Sequence, residues 1–449
     1  MKTPIQPSNG TFAVSTLGCK VNQYDGQAIR ERVAALGWQE VPFREKADFY
    51  IINTCTVTAE ADEKCRKEVR RARRANSDAR LVVTGCAART APERFRAIPG
   101  VSAVFTHAQM AGIGRWLETG LAPPERDIFD QKINAFSGHT RAFLKVEDGC
   151  DAGCAYCIVP RARGPVRSRP LSEIGSEAER LVAAGHVEIV LTGIHLGFYG
   201  RDLGGPFDVA QGRPEFHRMG RLRLGDAVRK VLAVPGIQRL RLSSIEATEL
   251  TDELLDLAAS EARFCPHFHL PLQSGDDALL AAMRRRYTAG EFLRTLDRAR
   301  KRLDRPSFTT DVMVGFPGET EEQFERTGRV CREAGFSRIH IFPFSPRPLT
   351  VAADLPGRVP VRTVRQREDR LKALAAELAL EYKRLFLGQT VFPLVEHRCD
   401  RATRLLAGWT ERYVRVVFAG PDDLKGKIIP VRAEAATPQV IRGIMPAPR

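Results

Sequence analysis

Short apolar runs alternate with helical stretches through the first 120 residues. Apolar runs at 12–14, 49–52 and 81–83 are followed by helical spacing at 23–36, at 59–76 and just after Cys86. This alternation predicts a parallel sheet flanked by helices. Cys19, Cys55 and Cys86 each come just past the end of a run. We therefore expect them along the carboxyl edge of the sheet, where open α/β sheets bind ligands.

A longer region repeats the strand–helix unit six times. The predicted strands are 143–146, 187–191, 239–242, 268–272, 308–314 and 339–344, and helical spacing occurs at 171–184, 251–259 and 320–334. Six units predict a partial or full barrel with its site at the carboxyl strand ends. A Pro-rich stretch at 121–139 predicts a linker. Residues 204–224 fit no unit, and we interpret them as a surface insertion.

The last part of the chain has a different pattern. After a long helical stretch at 364–387, short alternating strands are predicted at 391–395, 413–418 and 427–431. This pattern favours a small antiparallel β-barrel, a class that often binds oligonucleotides. The predicted fold class is therefore α/β: an N-terminal parallel-sheet domain (10–120), a central partial (β/α)6 barrel (136–370) and a small C-terminal barrel (384–446).

Composition and charge narrow the class of protein. A chain of 449 residues with 43% hydrophobic and 27% charged residues suits a globular protein of two or three domains. The sequence contains no run apolar enough for a membrane span and no secretory h-region, so we expect a cytoplasmic protein. The net charge of +15 favours a polyanionic partner, nucleic acid first, although a solvated basic surface is an alternative.

Cysteines carry the strongest chemical signal. Cys150, Cys154 and Cys157 form a C-x3-C-x2-C run directly after the first barrel strand. Three thiolates so close together can hold three irons of a [4Fe–4S] cubane and leave the fourth open to S-adenosylmethionine. The alternative is zinc, which usually takes four ligands.

The other cysteines divide into two groups. Cysteines at positions 19, 55 and 86 could each be a small buried hydrophobe, but their matching positions favour metal ligation. The remaining four have no partner at ligand spacing and are predicted to be structural: Cys65, Cys265, Cys331 and Cys399.

Characteristic strings surround both cysteine sets. They are TLGCKVNQYD, NTCTVT and TGCAA around the first set, and DGCDAGCAYCIVPRARGPVRSR around the second. Further strings are LTGIHLGFYG, RLSSIE, HLPLQSGDDALLAAMRRRYT, DVMVGFPGETEEQFERT and IHIFPFSPRP. Together they resemble the methylthiotransferases, a family of radical S-adenosylmethionine enzymes, from about residue 12 to residue 441. Two departures are Leu349, where the family often has Gly, and Gly153, where a bulkier residue is common.

The resemblance implies an activity and a set of cofactors. GCKVNQYD and CIVPRARGPVRSR are most similar to the branch that converts N6-threonylcarbamoyladenosine, next to the anticodon of tRNA, to its 2-methylthio derivative. Branches that act on isopentenyladenosine in tRNA or on a ribosomal protein remain alternatives, as does a non-catalytic, zinc-containing RNA-binding protein. The implied cofactors are two [4Fe–4S] clusters and S-adenosylmethionine.

Residue roles follow from the same resemblance. Cys150, Cys154 and Cys157 would bind the radical cluster, and Cys19, Cys55 and Cys86 the auxiliary cluster. The resemblance implies that S-adenosylmethionine contacts Tyr156, Gly193, Ser244 and Glu246. A Gly after a strand is also a common turn residue, and Ser-x-Glu a common helix cap.

Partners are implied as well: tRNA, a flavodoxin-like or ferredoxin-like electron donor, and a sulfur source. An unusually basic helix could contact RNA or simply be a solvated face; its cations are Lys64, Arg66, Lys67, Arg70, Arg71, Arg73 and Arg74. The C-terminal barrel resembles the TRAM domain, an RNA-binding module. Its candidate RNA contacts are Arg404, Arg412, Arg415 and Lys425.

Overall fold

The structure is a computed structural model that describes residues 10–56, 59–203 and 222–446. Residues 204–221 of the predicted insertion lie outside that range. The chain divides into two compact units. The first comprises Met1–Ser137, Asp148–Arg169 and Ser345–Ala353, and the second Gly138–Glu147, Pro170–Phe344 and Asp354–Arg449, each as far as it is described.

The helices are α1 (Lys20–Ala34), α2 (Ala59–Ala75), α3 (Cys86–Thr90), α4 (Pro92–Arg96), α5 (Ile113–Thr119), α6 (Val159–Arg163), α7 (Leu171–Ala183), α8 (Leu224–Leu232), α9 (Asp252–Ser260), α10 (Asp277–Ala282), α11 (Ala289–Arg302), α12 (Glu321–Ala334) and α13 (Val361–Arg384). The strands are β1 (Thr11–Thr16), β2 (Gln39–Glu40), β3 (Phe49–Thr54), β4 (Arg80–Gly85), β5 (Ala103–Val104), β6 (Ala142–Lys145), β7 (Glu147–Asp148), β8 (Arg167–Ser168), β9 (Glu188–Thr192), β10 (Arg239–Leu242), β11 (His267–His269), β12 (Ser307–Val314), β13 (Arg338–Pro343), β14 (Thr390–Val391), β15 (Leu394–Val395), β16 (Leu406–Trp409), β17 (Arg415–Phe418), β18 (Val431–Ala436) and β19 (Ile441–Ile444). None of the described helices is both long and apolar enough to cross a bilayer.

The first unit is built on a parallel sheet of strand order β2-β1-β3-β4-β5. Side chains alternate between its faces, so Phe49 and Ile51 join one apolar cluster while Tyr50 and Ile52 join the other. Burial on both faces explains why these strands are continuous apolar runs. The three predicted strands are confirmed as β1, β3 and β4. Residues 121–137, predicted as a linker, pack within this unit, where Gln131 donates a hydrogen bond to the His107 carbonyl.

The second unit contains all six predicted barrel strands. They form two parallel sheets, β6-β9-β10 and β11-β12-β13, which parallel bridges connect at Leu240–Phe264 and Ser244–His269. Spatial order therefore follows chain order, as in a partial (β/α)6 barrel. Strand β11 ends at His269, earlier than predicted, two residues before Pro271, which has no N–H to donate. Helix α8 begins at Leu224, the last residue of the segment predicted to be irregular.

The C-terminal part of the second unit is a curled six-stranded sheet of order β14-β18-β19-β17-β16-β15. Strands β17 and β19 pair in parallel and the other neighbours are antiparallel, so the sheet is mixed rather than purely antiparallel. The prediction of one strand at 391–395 was wrong, because Pro393 separates β14 from β15. The prediction for 427–431 was also wrong, since Pro430 delays β18 until Val431. Strands β16 and β19 were not predicted.

A buried ion cluster holds this curled sheet on the barrel strands. Glu188 in β9 is fully buried, and its carboxylate lies 2.9 Å from the Arg241 guanidinium in β10. Arg241 also donates to the backbone carbonyls of Thr410 and Glu411, and Arg239 donates to that of Trp409. Burial by itself raises the pKa of Glu188, but Arg241, Arg141 and Arg239 together hold that pKa below its ordinary value.

We predict that Glu188→Gln lowers the free energy of unfolding by about 3–5 kcal/mol, because it leaves buried guanidinium groups without their carboxylate. Urea denaturation followed by circular dichroism measures the change. Glu434→Gln is the matched control, since Glu434 is an exposed acid of the same curled sheet. Equal midpoints for the two variants would contradict the prediction.

Candidate functional site

The first cysteine set lies along one edge of the parallel sheet. Cys19 follows β1, Cys55 directly follows β3, and Cys86 directly follows β4. These strands are hydrogen-bonded neighbours that all run in the same direction, so their carboxyl ends meet there. The side chains of Cys55 and Cys86 are buried and Cys19 is exposed. The strand pattern predicted this convergence.

Two glycines let the chain turn tightly beside these cysteines. Gly18 has φ +102°, and a Cβ atom there would lie 2.8 Å from the Cys55 Sγ atom. Gly85 has φ +92°, and a Cβ atom there would lie 2.5 Å from the Thr54 carbonyl oxygen. Side chains other than hydrogen are strained at such φ values and would clash. Glycine at these two positions therefore allows the thiol-bearing loops to approach one another.

Asparagine side chains fix the same loops. Asn22, one turn after Cys19, donates from Nδ2 to the carbonyl oxygens of Leu17 at 2.7 Å and Thr54 at 2.8 Å. Asn53 in turn donates to the Asn22 carbonyl. These buried bonds connect the loops after β1 and β3.

The second cysteine set lies on a compact loop that leads into α6. The Cys150 amide donates to the Gly164 carbonyl, and the Cys157 amide to the Cys154 carbonyl. The Ala152 amide points at the Cys150 Sγ atom, 3.4 Å away. Backbone donors of this kind stabilise negative charge on sulfur.

Arg163, at the end of α6, connects the two cysteine loops. Its Nε donates to the Cys86 Sγ atom at 3.2 Å. Its Nη1 lies 2.8 Å from the Asp25 carboxylate and 2.9 Å from that of Asp148, and Nη2 donates to the Asn22 side-chain oxygen. The Arg163 side chain is completely buried, so these partners replace its hydration.

A second buried arginine supports the same junction. Arg169 donates to the Tyr24 hydroxyl at 2.8 Å and to the Gln131 carbonyl at 3.2 Å. Its guanidinium also lies over the Tyr24 and Phe129 rings. The strings NQYD and PRARGPVRSR therefore contact each other. Sequence reasoning did not assign roles to Asn22, Asp25, Arg163 or Arg169; the only signal was their place beside the cysteines.

Electrostatics of the first set fit a metal centre. The pKa of the Cys86 thiol is raised to about 12: burial is the largest cause, Arg163 opposes it, and the nearby Cys19 and Cys55 add to it. A bound cation favours the thiolate form of such a buried cysteine. Arg163 provides a hydrogen bond to sulfur, which is a common feature of iron–sulfur sites.

One group of side chains in the described part of the chain is compact enough to hold a single metal ion. Among the described residues, the one group of three or more Cys, His, Asp and Glu ligand atoms within 4.8 Å of one another is His195, Glu246 and Glu249. That group contains none of the six cysteines predicted to hold clusters.

The predicted S-adenosylmethionine contacts divide between the units. Tyr156 is partly buried in the first unit, beside Cys157. Gly193 follows β9, and Ser244 and Glu246 follow β10, so these three lie at neighbouring carboxyl strand ends of the second unit. A Cβ atom at Gly193 would lie 2.5 Å from a Glu147 carboxylate oxygen.

Glu246 belongs to a buried polar group. Arg285 lies 2.9 Å from its carboxylate, and the Glu246 amide donates to Glu249. His195 Nε2 lies 2.7 Å from the Glu249 carboxylate, and the His195 amide donates to Glu147. The hydrogen bonds and ion pairs among these side chains explain why the group is compact. Sequence reasoning had singled out only one of its members, Glu246.

Several of the basic residues proposed for RNA binding have partners within the protein. Arg73 donates to the Ser77 and Ala79 carbonyls, and Arg71 pairs with Glu68. Arg412 donates to the backbone of Asp304 and Arg305. The exposed cations are Lys64, Arg66, Lys67, Arg70, Arg74 and Arg404. Arg415 and Lys425 each form an ion pair with an aspartate.

Family models match two parts of the chain. Residues 11–106 match the uncharacterized protein family UPF0004, and residues 144–331 match the radical SAM superfamily.

Curated relatives match most of the chain. It is 38% identical over 435 residues to the Bacillus subtilis (strain 168) threonylcarbamoyladenosine tRNA methylthiotransferase MtaB, covering 94% of this chain and 93% of that protein. A Thermotoga maritima protein of the same name is 34% identical and covers 91% and 92%. A tRNA-2-methylthio-N(6)-dimethylallyladenosine synthase of Syntrophotalea carbinolica is 34% identical and covers 95% and 97%.

A solved structure shares the fold. The radical S-adenosylmethionine methyltransferase TsrM of Kitasatospora setae, with cobalamin and a [4Fe-4S] cluster bound, superposes with a TM-score of 0.55 at 15% identity. The match covers 78% of this chain and 74% of TsrM.

We predict that Arg163→Met lowers the free energy of unfolding of the metal-free protein by about 3–5 kcal/mol, because Asp25 and Asp148 stay buried without their common cation. Urea denaturation measures the loss. Arg161→Met removes the same charge from an exposed position of α6 and serves as the control. If both variants unfold at the same urea concentration, Arg163 does not hold the junction.

Proposed function

This chain belongs to the methylthiotransferases of the radical S-adenosylmethionine superfamily, and we propose that it converts N6-threonylcarbamoyladenosine in tRNA to its 2-methylthio derivative. The observation that carries the proposal is 38% identity across 94% of the chain to a relative named for that activity. A relative named for dimethylallyladenosine is 34% identical, the same value as for the Thermotoga maritima relative named for threonylcarbamoyladenosine. The proposed position next to the anticodon follows from the resemblance of the flanking strings.

The cofactors are two [4Fe–4S] clusters and S-adenosylmethionine. When bound, they supply hydrogen abstraction from an unactivated carbon and sulfur insertion, which acid–base side chains cannot perform. In our proposal Cys150, Cys154 and Cys157 hold the cluster that binds S-adenosylmethionine. The first cysteine set holds the auxiliary cluster, and the Arg163 hydrogen bond to Cys86 stabilises its sulfur charge.

The remaining residues of the proposed site bind and orient. Tyr156, Gly193, Ser244 and Glu246 are proposed to contact S-adenosylmethionine. The salt bridge from Arg285 keeps the Glu246 carboxylate in one orientation. Gly193 leaves room for the Glu147 carboxylate, which accepts a hydrogen bond from the His195 amide.

The polynucleotide is proposed to bind through the exposed cations of α2 and, at the C-terminal sheet, through Arg404. The chain's net charge of +15 supports a polyanionic substrate.

We also propose three domains: a methylthiotransferase domain (10–120), a radical core (136–370) and a TRAM domain (384–446). The proposal also includes a cytoplasmic location, a flavodoxin-like or ferredoxin-like electron donor and a separate sulfur source.

Nucleoside analysis tests the substrate. We predict that tRNA from a strain lacking the gene accumulates N6-threonylcarbamoyladenosine and lacks its 2-methylthio derivative, and that the wild-type gene restores it. Mass spectrometry of digested tRNA measures both nucleosides. Loss of methylthio-isopentenyladenosine, or of a methylthio group on a ribosomal protein, would instead identify one of the other branches.

A cysteine variant tests the division of the clusters. We predict that Cys154→Ala abolishes cleavage of S-adenosylmethionine while iron falls from about eight to about four per chain, since one cubane remains. Cys399→Ala, which removes a cysteine outside both sets, is expected to keep both values. Retained cleavage in Cys154→Ala would contradict the assignment, and zinc in place of iron in anaerobically prepared protein would favour the non-catalytic alternative.

A further inference from the structure

A cavity of about 430 Å³ opens in the first unit beside both cysteine sets. Three of its lining residues directly follow predicted cluster ligands: Thr56 after Cys55, Ala87 after Cys86 and Ile158 after Cys157. Its volume lies in the range of small-ligand sites. A base that must meet chemistry from both cysteine sets would have to enter a space so placed.

The cavity lining includes an exposed apolar residue whose backbone is in a strained conformation. Leu349 is 71% exposed and has φ +70°, a value that side chains other than Gly rarely adopt. Together with Pro348 it forms part of the cavity lining. Strain of this kind persists where the surrounding structure imposes it, and it concentrates at ligand-binding positions.

Among the side chains that the structure describes, the charged groups of the cavity lining are Arg66, Arg94, Arg347 and Glu93. Glu93 forms an ion pair with Arg96, which is not part of the lining. Arg347 is buried and donates to the Thr56 hydroxyl at 2.6 Å. The described part of the lining therefore combines apolar walls with three guanidinium groups and one carboxylate, which suits a ligand with an apolar body and one anionic substituent.

Arg66 is a guanidinium of the lining that can bind such a substituent. It projects from α2, and its ion pair with Glu63 at 3.1 Å lies at the surface, with both side chains about half exposed. Exposed pairs of this kind contribute little free energy, so Arg66 can exchange Glu63 for another carboxylate at small cost. The guanidinium fork matches a carboxylate through two parallel hydrogen bonds.

We propose that this cavity receives the modified adenosine and that Arg66, which lines the cavity together with Arg347, binds the carboxylate of its threonylcarbamoyl group. This inference rests on the proposed function and adds the residue that selects the substrate. An adenosine with an apolar N6 substituent offers Arg66 no anionic partner. Among the exposed cations of α2, Arg66 then has a separate role as a specificity-determining residue, while the others contact phosphates.

Binding to two RNA stem-loops tests the proposal. Both have the anticodon sequence, one with N6-threonylcarbamoyladenosine and one with plain adenosine, and affinity is measured by fluorescence anisotropy with the anaerobic holoenzyme. We expect the wild type to bind the modified stem-loop about tenfold more tightly, as charge-assisted hydrogen bonds imply. Arg66→Gln is expected to bring that ratio close to one.

Arg70→Gln is the matched control. Arg70 is exposed on the same helix, one turn further along, and does not line the cavity. As a phosphate contact it should weaken binding of both stem-loops equally and leave the ratio unchanged. A ratio that persists in Arg66→Gln, or equal losses for both stem-loops in that variant, overturns the proposal.

Failure of the proposal differs from failure of the proposed function. If the wild type shows no preference for the modified stem-loop while cellular tRNA still depends on the gene for methylthiolation, only the role of Arg66 is wrong. If cellular tRNA keeps its methylthio group without the gene, the function itself is wrong.

Discussion

The candidate site depends on the ion pairs and hydrogen bonds of the buried Arg163 guanidinium. Removing an arginine from water costs several kcal/mol, so it is stable inside a protein only where carboxylates and other acceptors surround it. Here two aspartates, an asparagine oxygen and the Cys86 sulfur fill that role. Because these partners come from the loops of both cysteine sets, satisfying one ion also brings the two loops together. Arg169 repeats the arrangement through Tyr24 and Gln131.

Buried arginines change how the basic composition is understood. Arg241 and Arg239 are nearly inaccessible in the second unit, as are Arg163 and Arg169 in the first. Arg163, Arg239 and Arg241 count among the 69 basic residues of the chain, but carboxylates close by neutralise them, so they add little to the field outside the protein. The charge that a polynucleotide meets is therefore concentrated in fewer residues than the sequence suggests, and α2 supplies most of those that we identified.

The fold was more predictable from the sequence than the details of the site. Apolar runs and helical stretches alternate over short distances along the chain, so a local pattern was enough to locate β1, β3, β4 and the barrel strands. Locating these strands also located the sheet edge that carries Cys19, Cys55 and Cys86. The pairing of Arg163 with Asp25 joins residues 138 positions apart. No local sequence pattern encodes such a contact, and nothing in the sequence distinguishes a buried aspartate from an exposed one. In the C-terminal sheet, Pro393 and Pro430 leave strands that are too short for their alternating apolar and polar pattern to be recognised.

Different physical demands act on the cysteine loops and on α2. The loops must hold sulfur atoms in place and satisfy buried ions, so nearly every side chain there has a required partner. Helix α2 has to bury only one face, through Cys65, Val69 and Ala72, and its outer face meets solvent. A substitution on that outer face can alter charge toward a substrate without disturbing either sulfur set. Substrate choice is therefore easier to change from α2 than from the loops, which is where a selecting residue such as Arg66 would be expected.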